Sequence, residues 1–138
     1  MKISVRSATK QDISFITATW MRALWHSGMY KHIRKQIFMT EHHDAIQRRI
    51  RALECVVACN PDDPYVIYGY LVFSRPNVVH FAYTKGSFRG MGIAKNLIGQ
   101  SIDSDNIVYT HQTDYSKELA RDKDITFNPY KFYEVLHD

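Results

Sequence analysis

The sequence predicts an α/β (α+β) fold, built as a single domain over residues 1–138, in which helices flank a mixed, mostly antiparallel sheet. The chain length favours one domain, and seven Phe, nine Tyr and two Trp supply the apolar surface of a core. Strand-like and helix-like segments follow one another in an order that fits neither an all-helical fold nor repeated β-α-β units. Two runs rich in aromatic and β-branched residues, 65–74 and 78–84, are joined by a short turn and predict an antiparallel hairpin.

The beginning of the chain predicts a strand followed by a helix. Residues 3–7, ISVRS, alternate apolar and polar side chains as a half-buried strand does. Thr9 is placed to cap the next helix, with Asp12 accepting hydrogen bonds from its free backbone N–H groups. Gly28 is expected to end this helix. Its buried stripe consists of Ile13, Ile16, Trp20 and Leu24.

A second helix and a second strand are predicted before the hairpin. Residues 29–39 are expected to be irregular, and Thr40 is expected to cap the helix. Residues 55–59, CVVAC, form a compact β-type run, and 60–64, NPDDP, form a strong turn signal. The cysteines in this run, only four residues apart, are expected to be free thiols.

The last third of the chain alternates between helix and strand patterns. Apolar residues at helical spacing predict a third helix that begins near Ile93. The remaining predicted elements are a strand at 106–113, a short helix at 114–123 and strand-like sequence at 125–136, interrupted at Pro129.

Composition and charge narrow the classes of partner. No stretch approaches the roughly 18 apolar residues that span a bilayer, and the N-terminus lacks a signal-peptide core, so a cytoplasmic protein without a membrane partner is expected. Between Trp20 and Arg51 there are seven Lys and Arg residues against two acidic residues. Such a surface favours an anionic partner, and the alternative is a solvated helix face without a partner. No histidine or cysteine grouping has metal-ligand spacing, so no metal is expected.

Three of the six glycines, Gly86, Gly90 and Gly92, stand in one basic turn between a strand and a helix. The turn is not a Walker A loop, because Ile93 and Ala94 stand where Lys and Ser or Thr are required. It is not a dinucleotide-binding fingerprint either, because the third glycine is missing and no acidic residue follows at the required distance. The turn can nevertheless bind a pyrophosphate. Its glycines have no side chains to block the phosphates, and the first N–H groups of the following helix are free to donate hydrogen bonds to them.

The segment Arg89-Gly90-Met91-Gly92-Ile93-Ala94 resembles the Arg/Gln-x-x-Gly-x-Gly/Ala signature of the GCN5-related N-acetyltransferases. The segment follows the fourth predicted strand and opens the third predicted helix, and the element order resembles that fold along nearly the whole chain. The resemblance implies acetyl-coenzyme A as the acyl donor and a V-shaped gap between strands 4 and 5. The implied donor-binding residues are Ala82, Tyr83 and Thr84 for pantetheine, and Arg89, Gly90, Met91, Gly92, Ile93 and Ala94 for the pyrophosphate.

The same resemblance guides the choice of catalytic residues. A general base takes a proton from the acceptor amine, and many members of the family place a carboxylate on the fourth strand for this. Here His80 is the titratable side chain on the expected face, with Val78, Ala82 and Thr84. A histidine held in the sheet for structural reasons is the alternative.

Tyr115 is the nearest candidate for the general acid, since the family often has a tyrosine on the helix after the fifth strand. The family's usual spacing of Asn, Ala and Tyr is absent from this part of the sequence. The departure leaves open an active transferase or a fold that binds acyl-coenzyme A without chemistry.

The predicted function is therefore transfer of an acetyl group to an amine of a protein, peptide or small molecule. One alternative is a nucleic-acid-modifying or nucleic-acid-binding protein that uses the basic segment 31–51, because Trp25 and Tyr30 directly before it can stack on bases while its Lys and Arg residues neutralise phosphates. Another is a non-catalytic acyl-coenzyme A-binding module. The identity of the acceptor and the presence of a homodimer stay open.

Overall fold

The computed structural model describes residues 1–122 and 125–135, which form six strands and five helices. The strands are β1 (Ser4–Ser7), β2 (Glu54–Asn60), β3 (Asp63–Ser74), β4 (Val78–Thr84), β5 (Val108–Tyr109) and β6 (Thr126–Phe127). The helices are α1 (Ile13–His26), α2 (Lys35–Arg49), α3 (Ile93–Ser101), α4 (Asp114–Asp122) and α5 (Tyr130–Tyr133).

The six strands form one sheet in the order β1-β2-β3-β4-β5-β6. The first four strands pair antiparallel with their neighbours, whereas β5 runs parallel to β4, and β6 runs parallel to β5. The predicted mixed, mostly antiparallel sheet is thereby confirmed. A two-residue turn at Pro61 and Asp62 lets β3 begin at Asp63, two residues before the predicted start.

The two faces of the sheet bury separate apolar clusters, because side chains alternate along each strand. Val57 and Tyr70 point to the face covered by α1 and α2, where Ile16, Trp20 and Leu24 form the predicted stripe of α1. Ala58 and Leu71, one residue further along each strand, point to the opposite face, which α3 covers. The layers are therefore helices, sheet and helix, as predicted.

A 3₁₀ turn at Lys10–Asp12 precedes α1, and the predicted cap Thr9 caps this turn rather than α1 itself, next to an ion pair. The carboxylate of Asp12 accepts a hydrogen bond from the backbone N–H of Thr9 at 2.7 Å. It also accepts two hydrogen bonds from the guanidinium of Arg6, at 2.7 and 3.1 Å. The Arg6 hydrogen bond is the main reason that the pKa of Asp12 lies below its usual value. The end of β1 is thereby tied to the start of α1.

Helix α2 begins at Lys35, so the predictions that residues up to 39 are irregular and that Thr40 is a cap are wrong. Phe38, His42 and Ile46 follow one another at four-residue spacing and are all buried. They form the core-facing stripe of the helix. The sequence did not predict this stripe, because its central residue is a histidine and so interrupts the apolar pattern.

The C-terminal region also differs from its prediction. Strand β5 has two residues where eight were expected, and the strand-like sequence from residue 125 onwards contains a two-residue β6 and then helix α5. Pro129 caps α5, because its fixed backbone angle suits a helix start. Helix α4 matches its prediction as far as Asp122; the predicted end at residue 123 and the prediction for residue 136 lie outside the described residues.

In the described ranges, no helix has the length and apolar character that crossing a membrane requires.

Candidate functional site

The glycine turn after β4 has the backbone geometry of an open cradle. Gly90 and Gly92 have φ angles of +83° and +76°, a left-handed conformation that glycine adopts without strain. Gly92 is the N-cap of α3, and no side chain caps the helix there. A Cβ atom at either glycine would meet no atom within 4 Å, so the space in front of the turn is open.

The first amides of α3 are free to bind a ligand. The first backbone hydrogen bond of this helix runs from the N–H of Asn96 to the carbonyl of Gly92, at 2.9 Å. Within the described residues, the N–H groups of Ile93, Ala94 and Lys95 have no acceptor, as expected for the first turn of a helix. Arg89 adds a positive charge beside them, and its Nε donates to the Thr84 carbonyl at 3.2 Å. The cradle therefore presents amides and a cation, which suits a pyrophosphate.

Gly69 on β3 sets the distance between the cradle and the sheet. A Cβ atom at this position would lie 2.5 Å from the backbone oxygen of Tyr83 and 3.2 Å from the Ile93 side chain. Only glycine lets β3, β4 and the first residue of α3 approach this closely. Sequence analysis did not identify Gly69. A glycine inside a strong strand pattern often marks a close approach of another backbone, and this pattern could have indicated its role.

Strands β4 and β5 separate where the V was expected. Their pairing includes Val78 and Val79 and ends with a hydrogen bond from the Thr110 N–H to the Val79 carbonyl, at 3.1 Å. Strand β4 continues to Thr84 and stays paired with β3 on its other edge. Its edge facing β5 is left without a strand partner in the described ranges. Ala82, Tyr83 and Thr84 lie on this unpaired part of β4.

An irregularity in β4 changes the side-chain pattern around His80. Val72 pairs with Phe81, but the next residue of β3, Phe73, pairs with Val79. His80 is therefore an extra residue in a β-bulge. The expectation that Val78, His80, Ala82 and Thr84 share one face by simple alternation is corrected, because the bulge interrupts the alternation. Val79 and Ala82 instead pack against the same cluster.

His80 is 1% exposed, and both of its ring nitrogens have hydrogen-bond contacts. Its Nε2 lies 2.9 Å from Ser74 Oγ, and its Nδ1 lies 2.9 Å from Thr110 Oγ1. Burial lowers the pKa of His80 to about 4, so the ring is neutral at pH 7. A base role for His80 stays a prediction, and any proton that it accepts must pass through one of these two hydroxyl groups.

The hydrogen-bonded contacts continue from His80 to two further buried histidines. Thr110 Oγ1 lies 2.8 Å from His111 Nδ1, and His111 Nε2 lies 3.3 Å from His42 Nε2. Burial lowers the pKa of His42 to about 4 and holds that of His111 well below its usual value. Sequence analysis did not identify Thr110 or His111 as site residues, because no local pattern marks the distant residues that they contact.

Tyr115 on α4 and His80 on β4 line the same space in the structure. Both residues line a small cavity of about 20 Å³ between β4, β5, α3 and α4, to which Ala82 also contributes. The structure thus brings together the predicted base, the predicted acid and one predicted pantetheine residue. The neighbouring Ser116 is buried, and its hydroxyl accepts a hydrogen bond from the Thr113 N–H at 2.8 Å as part of the α4 cap.

The helix-facing side of the V is filled by aromatic rings. The ring of Trp20 stacks on that of Phe81, with 5.7 Å between the centroids. Phe132 of α5 is 1% exposed, and its ring packs edge-on against Trp20 and against His111. Among the described residues, Trp20 Nε1 and Arg49 Nε are buried side-chain donors that lack a hydrogen-bond partner. Arg49 stands over the Phe132 ring, 5.1 Å from its centroid.

A groove of about 450 Å³ separates α1 from α2 and includes part of the basic segment. Met21 and Met39 contribute apolar surface, and no lining residue is acidic. A hydrogen bond from Gln47 Nε2 to Thr17 Oγ1, 3.0 Å long, joins the two helices beside the groove. The remaining lining residues include four cationic or titratable ones, Arg22, His26, Lys35 and His43.

In residues 1–122 and 125–135, no three His, Cys, Asp or Glu side chains are grouped so that they could hold a metal ion.

Comparison with known proteins finds similarity in structure alone. No model of a protein family matches the sequence, and no curated protein matches it. A structure from Corynebacterium glutamicum, named histone acetyltransferase HPA2 and related acetyltransferase, matches 72% of the chain at 16% identity with a TM-score of 0.56, over 70% of its own length. A predicted acetyltransferase with acetyl-CoA from Clostridium acetobutylicum matches 88% of the chain at 16% identity with a TM-score of 0.52, over 88% of its own length.

The apo form of YjaB from Escherichia coli matches 72% of the chain at 20% identity, with a TM-score of 0.53. The chain spans only 64% of the length of that protein. At such identities the likeness concerns the fold: a mixed sheet flanked by helices, with β4 and β5 parallel at the V.

Proposed function

We propose that this chain, which has the fold of the GCN5-related N-acetyltransferases, transfers an acetyl group from acetyl-coenzyme A directly to an amine. The observation that carries the proposal is the cradle itself, in which unpaired amides at the start of α3 stand next to the unpaired edge of β4. The cradle offers hydrogen-bond donors to a pyrophosphate, and the strand edge offers backbone groups to an amide-containing arm such as pantetheine. The acetyltransferase from Clostridium acetobutylicum, a structural neighbour with acetyl-CoA, supports the same donor.

In this proposal the donor-binding residues divide into two groups. The pyrophosphate is held by the backbone of Gly90, Met91, Gly92, Ile93 and Ala94, with the charge of Arg89 beside it. Pantetheine runs along Ala82, Tyr83 and Thr84. When bound, acetyl-coenzyme A supplies an acetyl group already activated as a thioester. The positive φ angles of Gly90 and Gly92 fit this arrangement, because they favour glycine, which has no side chain to stand in front of the phosphates.

The catalytic groups proposed are His80 as the base and Tyr115 as the acid. They line the same cavity, so proton acceptance and proton donation would occur on two walls of one space. The cavity of about 20 Å³ has room for roughly one water molecule. We therefore expect donor binding to displace side chains in the V, and we expect a water molecule or a hydroxyl group to stand between His80 and the amine.

Calorimetric titration of the folded protein with acetyl-coenzyme A tests donor binding. Gly92→Glu places a carboxylate in front of the cradle and should abolish binding. Gly99→Glu adds the same charge on the exposed side of α3, where a Cβ also meets nothing within 4 Å, and should bind like the wild type. Equal binding by both variants, or no binding by the wild type at sub-millimolar ligand, would refute the proposed donor site.

Release of free coenzyme A tests turnover. The protein and acetyl-coenzyme A are mixed with each of four amines: a lysine peptide with a blocked N-terminus, a peptide with a free N-terminus, spermidine and tryptamine. The proposed activity predicts that at least one amine increases the release of coenzyme A. Donor binding without amine-dependent release by any acceptor would instead favour the non-catalytic acyl-coenzyme A-binding module.

A nucleic-acid partner is the second proposal, because the groove between α1 and α2 has cationic side chains and no acidic lining residue. The basic segment 31–51 borders this groove. Binding of a labelled single-stranded RNA or DNA that weakens steeply with salt, and that Lys35→Glu reduces further, would support it. Binding that does not depend on salt would count against an electrostatic contact.

A further inference from the structure

The glycine turn contacts β3 at both of its ends. At its start, the backbone N–H of Lys85 donates to the Tyr68 carbonyl at 2.8 Å, and the Phe88 ring packs against the Tyr68 ring with 4.4 Å between the centroids. At its end, Ile93 of α3 lies so close to Gly69 that a Cβ atom on this glycine would be 3.2 Å from the Ile93 Cγ2. The turn thus stands between two contacts with adjacent residues of β3.

A bulge in β3 turns these two adjacent residues to the same face of the sheet. Ile67 and Gly69 pair with successive residues of β2, so Tyr68 between them is an extra residue. Ile67 packs in the apolar cluster on the face of α1 and α2, whereas Tyr68 belongs to the cluster on the face of α3. Gly69 faces α3 as well, because Ile93 supplies the side-chain atom nearest to its Cβ position. In a regular strand neighbouring residues point to opposite faces, so the bulge allows both contacts to form.

Between these two contacts the turn has little to fix its position. The Phe88 N–H donates to the Lys85 carbonyl at 2.8 Å, and the Arg89 N–H donates to the Gly86 carbonyl at 3.4 Å. The following residues include two glycines, which have the greatest backbone freedom of all residues, and Met91, which is 54% exposed. The position of the cradle therefore depends mainly on the contacts at its two ends.

Phe88 is the side chain of the turn that reaches the core. It is partly buried against the apolar cluster on the α3 face, whereas residues 85–87 and Arg89 are exposed. Tyr68 beneath it is 5% exposed. Two aromatic rings in contact contribute free energy beyond the apolar area that they bury. A turn held in place before the ligand arrives loses less conformational freedom on binding, and binding is tighter for that reason.

We propose that Phe88 is a positioning residue for the acyl donor, which holds the turn against β3 so that the amides of residues 90–94 face the pyrophosphate. This inference rests on the proposed donor site and adds to it a residue that acts through the backbone of the turn. Phe88 does not line the cavity that contains His80 and Tyr115. Removal of its ring should therefore weaken donor binding and leave the chemical step unchanged.

Two acyl donors separate this role from a general loss of structure. Acetyl-coenzyme A contains the pyrophosphate, whereas S-acetylpantetheine contains the same thioester and the same arm without it. With the best of the four amines as acceptor, we expect Phe88→Ala to lower kcat/KM for acetyl-coenzyme A about 10-fold, through KM and with kcat unchanged. The kcat/KM for S-acetylpantetheine should be equal in the wild type and the variant. An equal loss with both donors, or no loss with either, would overturn the proposal.

Phe127→Ala is the matched control, because Phe127 is also partly buried in the cluster on the α3 face and its ring lies 5.2 Å from that of Tyr109. This variant should lose stability and keep the wild-type affinity for acetyl-coenzyme A. An equal loss of affinity in Phe127→Ala and Phe88→Ala would contradict a role specific to the turn.

Two milder substitutions keep the test valid if Phe88→Ala does not fold. Phe88→Tyr keeps the ring and should bind acetyl-coenzyme A like the wild type. Phe88→Val keeps only part of the contact with Tyr68 and should bind it more weakly than Phe88→Tyr. Equal affinity of these two variants would overturn the proposal.

Nitrogen-15 relaxation of the backbone gives a measurement on the free protein that needs no donor. Residues 89–92 should have order parameters of about 0.85 in the wild type and in Phe127→Ala, as a rigid backbone does, and below about 0.6 in Phe88→Ala. Unchanged order parameters in Phe88→Ala would overturn the proposal. If the wild type binds no acetyl-coenzyme A, the proposed function fails, whereas the order parameters still decide whether Phe88 holds the turn.

Discussion

Gly69 and Tyr83 lie so close together that a Cβ atom on Gly69 would be 2.5 Å from the Tyr83 backbone oxygen. This oxygen belongs to the proposed pantetheine strand. We predict that Gly69→Ala lowers the free energy of unfolding by about 1–3 kcal/mol, the usual effect of overpacking, because backbone rather than a flexible side chain must move. Acetyl-coenzyme A affinity should fall as well. Urea unfolding and calorimetric titration measure the two effects.

Gly99→Ala is the matched control for this prediction. Gly99 is exposed within α3, and a Cβ there meets no atom within 4 Å. Alanine should stabilise the helix by up to about 1 kcal/mol, because it has the higher helix propensity. Donor affinity should not change. If Gly69→Ala were as stable as Gly99→Ala, the close approach of β3 and β4 would not constrain the site.

The buried histidines predict a loss of stability in mild acid. The pKa of both His42 and His80 is lowered from 6.5 to about 4 in the folded protein. Below pH 6.5 the unfolded chain therefore binds protons that the folded chain does not, so their stabilising contribution is complete above 6.5 and is lost as the pH falls toward 4. Each histidine should cost about 1.4 kcal/mol per pH unit in this window. Urea unfolding between pH 7.5 and 4.5 measures the slope.

Two variants of α2 identify the histidines responsible. His42→Gln should reduce the slope by about the contribution of one histidine. His43→Gln changes the exposed neighbour on the same helix and should leave the slope as it is. An identical slope in the wild type and in His42→Gln would mean that His42 is not buried in its neutral form.

Phe132 should contribute more stability than its place in a four-residue helix implies. Its ring contacts Trp20, His42, His80 and His111 with centroid distances of 4.7–6.1 Å. Phe132→Ala would leave a cavity in the V, and we expect the free energy of unfolding to fall by about 3–4 kcal/mol. The midpoint of thermal unfolding should fall accordingly.

Tyr130→Ala is the control on the same helix, because Tyr130 is 75% exposed. It should unfold with nearly the wild-type midpoint. If Phe132→Ala did the same, α5 would not be docked into the V.

Tyr115→Phe tests the proposed general acid. The substitution keeps the ring on the wall of the cavity and removes the hydroxyl group. We predict a kcat about 100-fold lower with acetyl-coenzyme A affinity unchanged, since the hydroxyl acts only when the thiolate leaves. Steady-state release of coenzyme A measures kcat. Tyr130→Phe, at an exposed tyrosine, is the control and should keep the wild-type kcat. A wild-type kcat in Tyr115→Phe would mean that another group supplies the proton.

The sequence was sufficient to predict the elements whose patterns are local. The stripe of α1, the hairpin of β3 and β4, and the glycine turn all depend on residues close together in the chain. The prediction of where α2 begins was wrong because His42 occupies a core-facing position that an apolar residue usually fills. No local pattern marks a histidine that is buried by partners from other elements, such as His111 and Phe132.

The candidate site was predicted only where it consists of backbone. The turn from Arg89 to Ala94 is visible in the sequence because glycine spacing determines backbone conformation. The bulge at His80 is not visible, because it depends on how β3 and β4 pair. Thr110 and His111 could not be assigned either, since their partners are 30 or more residues away in the chain.

Each strand of the sheet pairs with the strand that precedes it in the chain. Strands β1 to β4 can therefore assemble one after another as the polypeptide leaves the ribosome, and the glycine turn can form before β5 has been synthesised. Strands β5 and β6 add two register pairs each, so the later part of the sheet has much less pairing than the earlier part. Hydrogen exchange should accordingly be slowest in β2 and β3 and faster in β5. The half of the protein that carries the proposed donor site would thus fold early and persist, and the half that completes the V would be added last and open first.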